Sequence, residues 1–154
     1  MSTPETRLAA LGLDLPTPAG AAANYVPFVV SGNTLFVAGQ IPFLNGVKQH
    51  IGRLGEGMTI EQGQDAARAC ALNILAQAKD AVNGDWSRIV RCIKLGGFVN
   101  ATPDFDSHPA VINGASDLIV AALGEAGRHA RFAVGASNLP FGVAVEIDAI
   151  FEIR

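Results

Sequence analysis

Arg131 and Glu146 are the charged residues whose surroundings best suit a chemical role. Glu146 lies in residues 143–153, where an apolar side chain recurs at every second position, the period of a β-strand with one buried face. Arg131 begins a shorter strand-like run, residues 131–136. The Asn, Pro and Gly between the two runs are turn residues. We therefore expect the two strands to be neighbours that bring Arg131 and Glu146 into one site.

Each of the two side chains suits a defined chemical task. A guanidinium held by a rigid strand binds a carboxylate through two parallel hydrogen bonds, which fixes orientation as well as charge. A carboxylate in a partly dry cleft positions a water and takes its proton, because burial tunes its pKa. The pattern leaves plainer roles open: a surface or ion-pair arginine, and a glutamate in a cross-strand ion pair. Asp148 and Glu152, on the same strand face as Glu146, are expected to be solvated or interface charges.

The composition indicates one globular domain and limits the classes of partner. The length of 154 residues suits a single domain, 1–154, with a real core. Only 16% of the residues are charged and 49% are hydrophobic, which favours an oligomer that covers part of its surface. The net charge of -3 predicts no generic phosphate-binding surface, so we expect no nucleic-acid partner.

Metal, membrane and redox roles find no support in the sequence. No cluster of His, Cys and carboxylates has the spacing of a metal site. No stretch approaches the roughly 18 to 20 apolar residues of a membrane span and no leader is visible, so a cytoplasmic location is the expectation. Cys70 and Cys92 are expected to be buried packing residues. The three histidines, His50, His108 and His129, are expected to face solvent.

Secondary-structure signals predict an α+β fold. Strands are expected over residues 25–30, 34–40, 47–51 and 90–99, in addition to the two described above. Residues 52–57 contain three glycines and are expected to form a loop. Thr59 and Gln62 form a capping box for a helix that runs to about Val82. The buried stripe of this helix is expected at Ala67, Cys70 or Ala71, Ile74, Ala78 and Val82. A second helix is expected from Ser107 to Gly127. The order predicts a mainly antiparallel sheet with two helices packed on one face.

A family resemblance follows from two stretches. The order Arg131, Phe132, Val134, Leu139 and residues 145–147 resembles the C-terminal signature of the Rid family, the YjgF-like reactive intermediate deaminases. Residues 32–42, GNTLFVAGQIP, resemble that family's second strand and its following turn. The resemblance covers residues 25–154 and leaves residues 1–24 as an N-terminal extension. It implies a chorismate-mutase-like fold and a homotrimer with sites between subunits.

The resemblance also implies a reaction and a set of site residues. Matching positions make Arg131 the carboxylate-binding residue and Glu146 the water-activating one, with Tyr25, Gly39 and Asn113 near the substrate. The implied activity is hydrolysis of reactive 2-imino or enamino acids to a 2-ketoacid and ammonia, with a small carboxylate-bearing substrate and neither metal nor organic cofactor.

Two departures from the family pattern leave other functions open. Ala38 and Ala133 stand where archetypal members often have Ser and Cys. Both replacements remove polar contacts, which keeps a non-catalytic trimer that binds small carboxylates as an alternative. A third possibility is an endoribonuclease of the L-PSP type, against which the acidic charge balance weighs.

Overall fold

The computed structural model describes residues 2–21 and 23–154. Three helices and nine strands follow in chain order: α1 (Pro4–Ala9), β1 (Phe28–Ser31), β2 (Thr34–Gln40), β3 (Phe43–Leu44), β4 (Val47–Lys48), β5 (Arg53–Leu54), β6 (Gly57–Met58), α2 (Ile60–Ala81), β7 (Ile89–Asn100), α3 (His108–Leu123), β8 (Ala130–Ala136) and β9 (Val145–Ile153). The α+β class and the mainly antiparallel sheet are confirmed.

Five strands form the main sheet, in the order β1-β2-β9-β7-β8. Neighbours are antiparallel except β7 and β8, which are parallel. The parallel pair follows from the connection, because α3 crosses between β7 and β8 and returns the chain to the end where β7 began. This crossover places β8 at the sheet edge. The expectation that the strands of Arg131 and Glu146 are neighbours is therefore wrong, since β7 lies between them.

The segment predicted as a third sheet strand, residues 47–51, also lies elsewhere. Its first two residues form β4, which pairs with β3 in a small hairpin outside the main sheet. Residues 52–57, predicted as a loop, contain most of another short pair, β5 and β6. The chain has a positive φ at Asn45 and Gly46, which makes the tight turn of the β3–β4 hairpin.

Helix α2 begins as its sequence predicts. The Thr59 side chain accepts from the backbone N–H of Gln62, and the Gln62 side chain accepts from the backbone N–H of Thr59. The predicted apolar stripe is completely buried against the sheet and α3, with at most 1% exposure at each position: Ala67, Cys70, Ala71, Ile74, Ala78 and Val82.

Helix α3 is shorter than predicted and packs beside α2 on the same side of the sheet. It ends at Leu123 rather than near Gly127, because Gly124 adopts a positive φ of 65° and residues 124–127 continue as a 3-10 turn. Ser107 occupies the N-cap position, although its side chain makes no capping hydrogen bond.

The sheet face away from the helices remains uncovered in the single chain. Four large apolar side chains on this outer face are each at least 39% exposed: Val29, Phe36, Phe98 and Val134. Glu146 lies on the same face, because it pairs with Phe98 across the β7–β9 ladder. In the part of the chain that the structure describes, no helix is long and apolar enough to cross a membrane.

Candidate functional site

A cavity of about 300 Å³ lies where β2 and β9 meet the N-terminal segment. Three of the residues proposed from sequence line it, namely Tyr25, Gly39 and Glu146. Tyr25 lies in a bend ahead of β1 rather than in the strand predicted there, and its side chain is 52% exposed. Strand β2 carries an irregularity between Val37 and Gln40. This bulge changes the register beside β9 where Gly39 meets Glu146.

The Glu146 carboxyl lies in a partly buried setting close to a second carboxylate. Its side chain is half-buried, and burial raises its pKa above the usual 4.5, with the nearby negative charge of Asp148 adding to the rise. A carboxylate with a raised pKa holds a transferred proton more readily than a solvated one.

Gly39 gives the Glu146 side chain its space. A Cβ at residue 39 would lie 2.5 Å from Glu146 Oε1, and its next two contacts would also be Glu146 atoms. The absence of a side chain at Gly39 therefore permits the observed position of the carboxylate.

Arg131 lies on the other face of the sheet. It pairs with the fully buried Leu95 on the helix-facing side of β7. Its guanidinium donates from Nη1 to Ser116 Oγ at 3.0 Å and from Nη2 to the carbonyl of Pro109 at 3.2 Å. From the strand spacing and rise, its Cα lies on the order of 14 Å from that of Glu146. Within one chain the two residues do not form a common site.

A directional chain of hydrogen bonds holds Arg131 on α3. His129 Nδ1 lies 2.6 Å from the carbonyl of Gly127, and because a carbonyl only accepts, Nδ1 carries the proton. With the proton on Nδ1, Nε2 is placed to accept, 2.9 Å from Ser116 Oγ. Ser116 donates to His129 and accepts from Arg131. His129, which was expected to face solvent, is instead partly buried and hydrogen-bonded through both ring nitrogens.

Asn113 belongs to the Arg131 group. It is exposed on α3, four residues after Pro109 and three before Ser116, so all three share one helix face. The proposed site residues thus divide into two groups within a chain. Tyr25, Gly39 and Glu146 line the cavity, and Arg131 lies against α3, which carries Asn113.

Four further residues near the two groups were not proposed from sequence. Lys48 and Phe141 line the cavity, and Ser116 and His129 hold Arg131. Lys48 and Phe141 lie in short hairpin and turn segments whose pattern carries no functional signal. One residue separates His129 from Arg131 in the sequence. The contact of Ser116 with His129 and Arg131 is not visible there, because it depends on how β8 packs on α3.

The described residues contain four ion pairs, and neither Arg131 nor Glu146 takes part in one. Within residues 2–21 and 23–154, no group of three His, Cys, Asp or Glu side chains is placed to hold a metal ion.

Comparisons with known proteins give the chain a family. Residues 5–150 match the family model described as "YjgF/chorismate_mutase-like, putative endoribonuclease". The chain is 49% identical to "Protein TCP17" of Trypanosoma cruzi, over 94% of this chain and 90% of that protein. It is 53% identical to Atu1372 of Agrobacterium tumefaciens, a protein of unknown function, with a TM-score of 0.93 over 98% of this chain and 92% of that one.

A more distant solved structure carries a ligand. E. coli TdcF with bound serine is 26% identical, with a TM-score of 0.62 over 92% of this chain and 96% of that one. The match to the family model runs through nearly the whole chain and includes most of the residues ahead of Tyr25. On these matches and on the fold, the chain belongs to the YjgF-like family, also called the Rid family.

Proposed function

We propose that this protein hydrolyses reactive 2-imino and enamino acids to 2-ketoacids and ammonia, in clefts between the subunits of a homotrimer. The observation that carries the proposal is the half-buried Glu146, whose pKa is raised and whose carboxylate lines a small-molecule cavity beside Tyr25 and Gly39. The serine bound to TdcF supports a ligand of amino-acid size in this family. A volume of about 300 Å³ suits such a ligand.

The proposed reaction needs a positioned water and a proton carrier. Water adds to the electrophilic carbon of the protonated C=N bond while Glu146 takes one of its protons. Glu146 then returns that proton to the nitrogen of the carbinolamine. As the C–N bond breaks, Glu146 takes the hydroxyl proton and the oxygen of the water becomes the ketone oxygen. The departing ammonia takes that proton from Glu146 and leaves as ammonium, which restores the carboxylate. Arg131 holds the carboxylate next to the reacting carbon, so orientation and general-base assistance supply the rate enhancement.

The division of the site supports assembly across a subunit interface. Glu146 is a half-buried carboxylate outside the ion pairs of the described residues, and Arg131 is a guanidinium outside them as well. An association that brings Arg131 of one copy to the cavity of the next would neutralise both. The uncovered outer face of the sheet and the edge strand β8 supply apolar surface and free backbone groups for such contacts.

The first test is semicarbazide-competition kinetics on 2-iminoacids generated in situ by an amino-acid oxidase. Wild-type protein is expected to accelerate ketoacid formation, and Arg131→Ala is expected to abolish the acceleration. Glu146→Gln separates water activation from binding, because it preserves size and removes the base. Exhaustive chelation is expected to leave the activity intact, and a stoichiometric metal requirement would contradict the mechanism.

Two other functions are outcomes of the same experiments. Ala38 and Ala133 lack the polar side chains of archetypal members, which favours a trimer that binds small carboxylates without turnover. Tight binding with no rate above background, across small, branched and aromatic iminoacids, would establish that function. Cleavage of RNA that disappears with Arg131→Ala would establish an endoribonuclease instead.

A further inference from the structure

Lys48 is the basic side chain among the described residues that line the Glu146 cavity. It lies on β4 of the small hairpin, opposite Phe43, which also lines the cavity. The four ion pairs of the described residues do not include Lys48. Its ammonium lies 4.1 Å from the centre of the Phe141 ring instead. The cavity is therefore lined by a positively charged side chain of the same chain, Lys48, which is distinct from Arg131.

Phe141 occupies a conformation that needs support from its surroundings. Its φ of 59° is unusual for a bulky residue, and its side chain is 59% exposed. Hydrogen bonds on both sides of Gly142 hold the turn, from Gly142 N to the Leu139 carbonyl and from Gly52 N to the Gly142 carbonyl. A strained, exposed aromatic residue is typical of ligand-contacting positions. Here it places a ring under the Lys48 ammonium at the cavity rim.

The remaining walls of the cavity are fixed to helix α2. Asn73 donates to the carbonyls of Ile41 and Phe43, and Gln77 donates to the carbonyl of Ala19 at 2.7 Å. Both amides are at most 3% exposed, so these contacts tie the β3 side and the N-terminal side of the cavity to the core. The small residues 19–21 and Ala23 line the N-terminal wall. Lys48 and Glu146 thus belong to one bounded space.

From this arrangement we infer that Lys48 binds a second anionic group of the substrate, so that the preferred substrates are 2-iminodicarboxylates with an acidic side chain. The inference rests on the proposed function. Arg131 of the neighbouring copy holds the carboxylate beside the imine carbon, and Lys48 remains available for the other end. A four- or five-carbon diacid is small enough for a cavity of about 300 Å³.

The test compares two imines that differ in one charge, those generated from glutamate and from glutamine. For the wild type we expect kcat/KM to be about 5-fold higher for the glutamate-derived imine, the gain of a partly exposed ion pair. Lys48→Met is expected to bring the ratio near one, Lys48→Arg to retain it, and Lys48→Glu to reverse it. Lys79→Met is the matched control, because Lys79 pairs with Glu5 and does not line the cavity.

Calorimetry gives a readout that needs no turnover. Glutarate is expected to bind the wild type more tightly than pentanoate, and Lys48→Met is expected to remove most of that difference. Acceleration of both imines at a ratio near one, unchanged by Lys48→Met, would overturn the inference and leave the deaminase proposal intact. Loss of activity on both imines in Lys48→Met would also overturn it, because Lys48 would then hold the carboxylate beside the imine carbon.

No acceleration of any imine would instead refute the proposed function. The calorimetric comparison would then decide the role of Lys48 alone. Equal binding of glutarate and pentanoate would overturn the inference, and a preference for glutarate that Lys48→Met removes would support a dicarboxylate-binding site. Thermal melting of each variant checks folding, which we expect to be unchanged because Lys48 is exposed on a short hairpin.

Discussion

Arg131 and Glu146 lie on opposite faces of one β-sheet, with strand β7 between their strands. Arg131 shares its face with Leu95 and the helices, and Glu146 shares its face with Phe98 and the uncovered side. A small substrate bound within one chain cannot contact both residues. If both act on the same molecule, as we propose, they come from different copies of the chain.

Mixing two inactive variants tests this arrangement directly. Arg131→Ala copies retain Glu146, and Glu146→Gln copies retain Arg131. After subunit exchange at equal amounts, a cleft built from two neighbours has both native residues about one time in four, so about a quarter of wild-type activity is expected. A site built within one chain gives no recovery. Arg131→Ala mixed with a double Arg131→Ala/Glu146→Gln variant is the control and should remain inactive.

Replacing Glu146 should change how stability depends on pH. Burial and Asp148 raise its folded-state pKa above 4.5, so the folded state binds more protons than the unfolded state in the window above that value. The contribution of Glu146 to the free energy of unfolding is fully present below pH 4.5. It is lost as the pH rises through the pKa that Glu146 has in the folded state. Glu146→Gln should therefore melt higher than its parent at pH 7 to 8, with the difference shrinking toward pH 4.

The Glu146 comparison is best made in an Arg131→Ala background, where no guanidinium from a neighbouring copy offsets the carboxylate charge. Glu152→Gln is the control, because Glu152 lies on the same face of β9 outside the cavity. A difference in melting temperature between Glu146→Gln and its parent that is the same at pH 4 and pH 8 would contradict the assigned cause.

A methyl group at Gly39 should displace the Glu146 carboxylate. The close contact of 2.5 Å is to the end of a flexible side chain, and all three nearest atoms belong to Glu146. We expect Gly39→Ala to fold normally and to lose at least about 10-fold in kcat, since misplacement of a reacting group by about 1 Å is costly.

A double-mutant cycle isolates that contact. The stability cost of Gly39→Ala should largely disappear in a Glu146→Ala background, where the opposing side chain is gone. An equal cost in both backgrounds would show that the added methyl group acts on the β2 backbone instead.

Ser116 is expected to position Arg131 rather than to react. Ser116→Ala removes the acceptor for Nη1 and leaves His129 Nε2 without its donor. Because a hydrogen bond to a charged group contributes about 1.5 kcal/mol, we expect a rise in KM of about 10-fold with a smaller change in kcat. Ser116→Thr keeps the hydroxyl and should restore most of the affinity. A loss confined to kcat would argue against a positioning role.

Local signals in the sequence predicted most of the helices and strands of the main sheet. They could not predict which strands pair when those strands lie far apart in the sequence. The capping box at Thr59 and the apolar stripe of α2 predicted that helix because both are set by neighbours three or four residues apart. The alternation in β9 likewise predicted its buried face. The position of β8 at the far side of β7 depends on the crossover through α3, which no local pattern encodes.

The site was predictable to a similar extent. Matching residues to a family pattern singled out Tyr25, Gly39 and Glu146, which do line one cavity. The same matching gave Arg131 and Asn113 without showing that they lie apart from the other three. Lys48 reaches the cavity only because a short hairpin folds over it, and Ser116 meets His129 only because β8 packs on α3. Contacts of this kind arise from tertiary packing and produce no periodic pattern of residues in the sequence.

The placement of β7 between β8 and β9 would determine how many complete sites the proposed assembly can hold. If the Arg131 side of one copy meets the Glu146 side of the next in a head-to-tail contact, as we propose, each such contact would complete one cleft. Two copies joined in this way leave one Arg131 group and one cavity unmatched. A closed ring leaves none, so the number of clefts equals the number of chains. Ring closure would then be a condition for full catalytic capacity as well as for covering apolar surface.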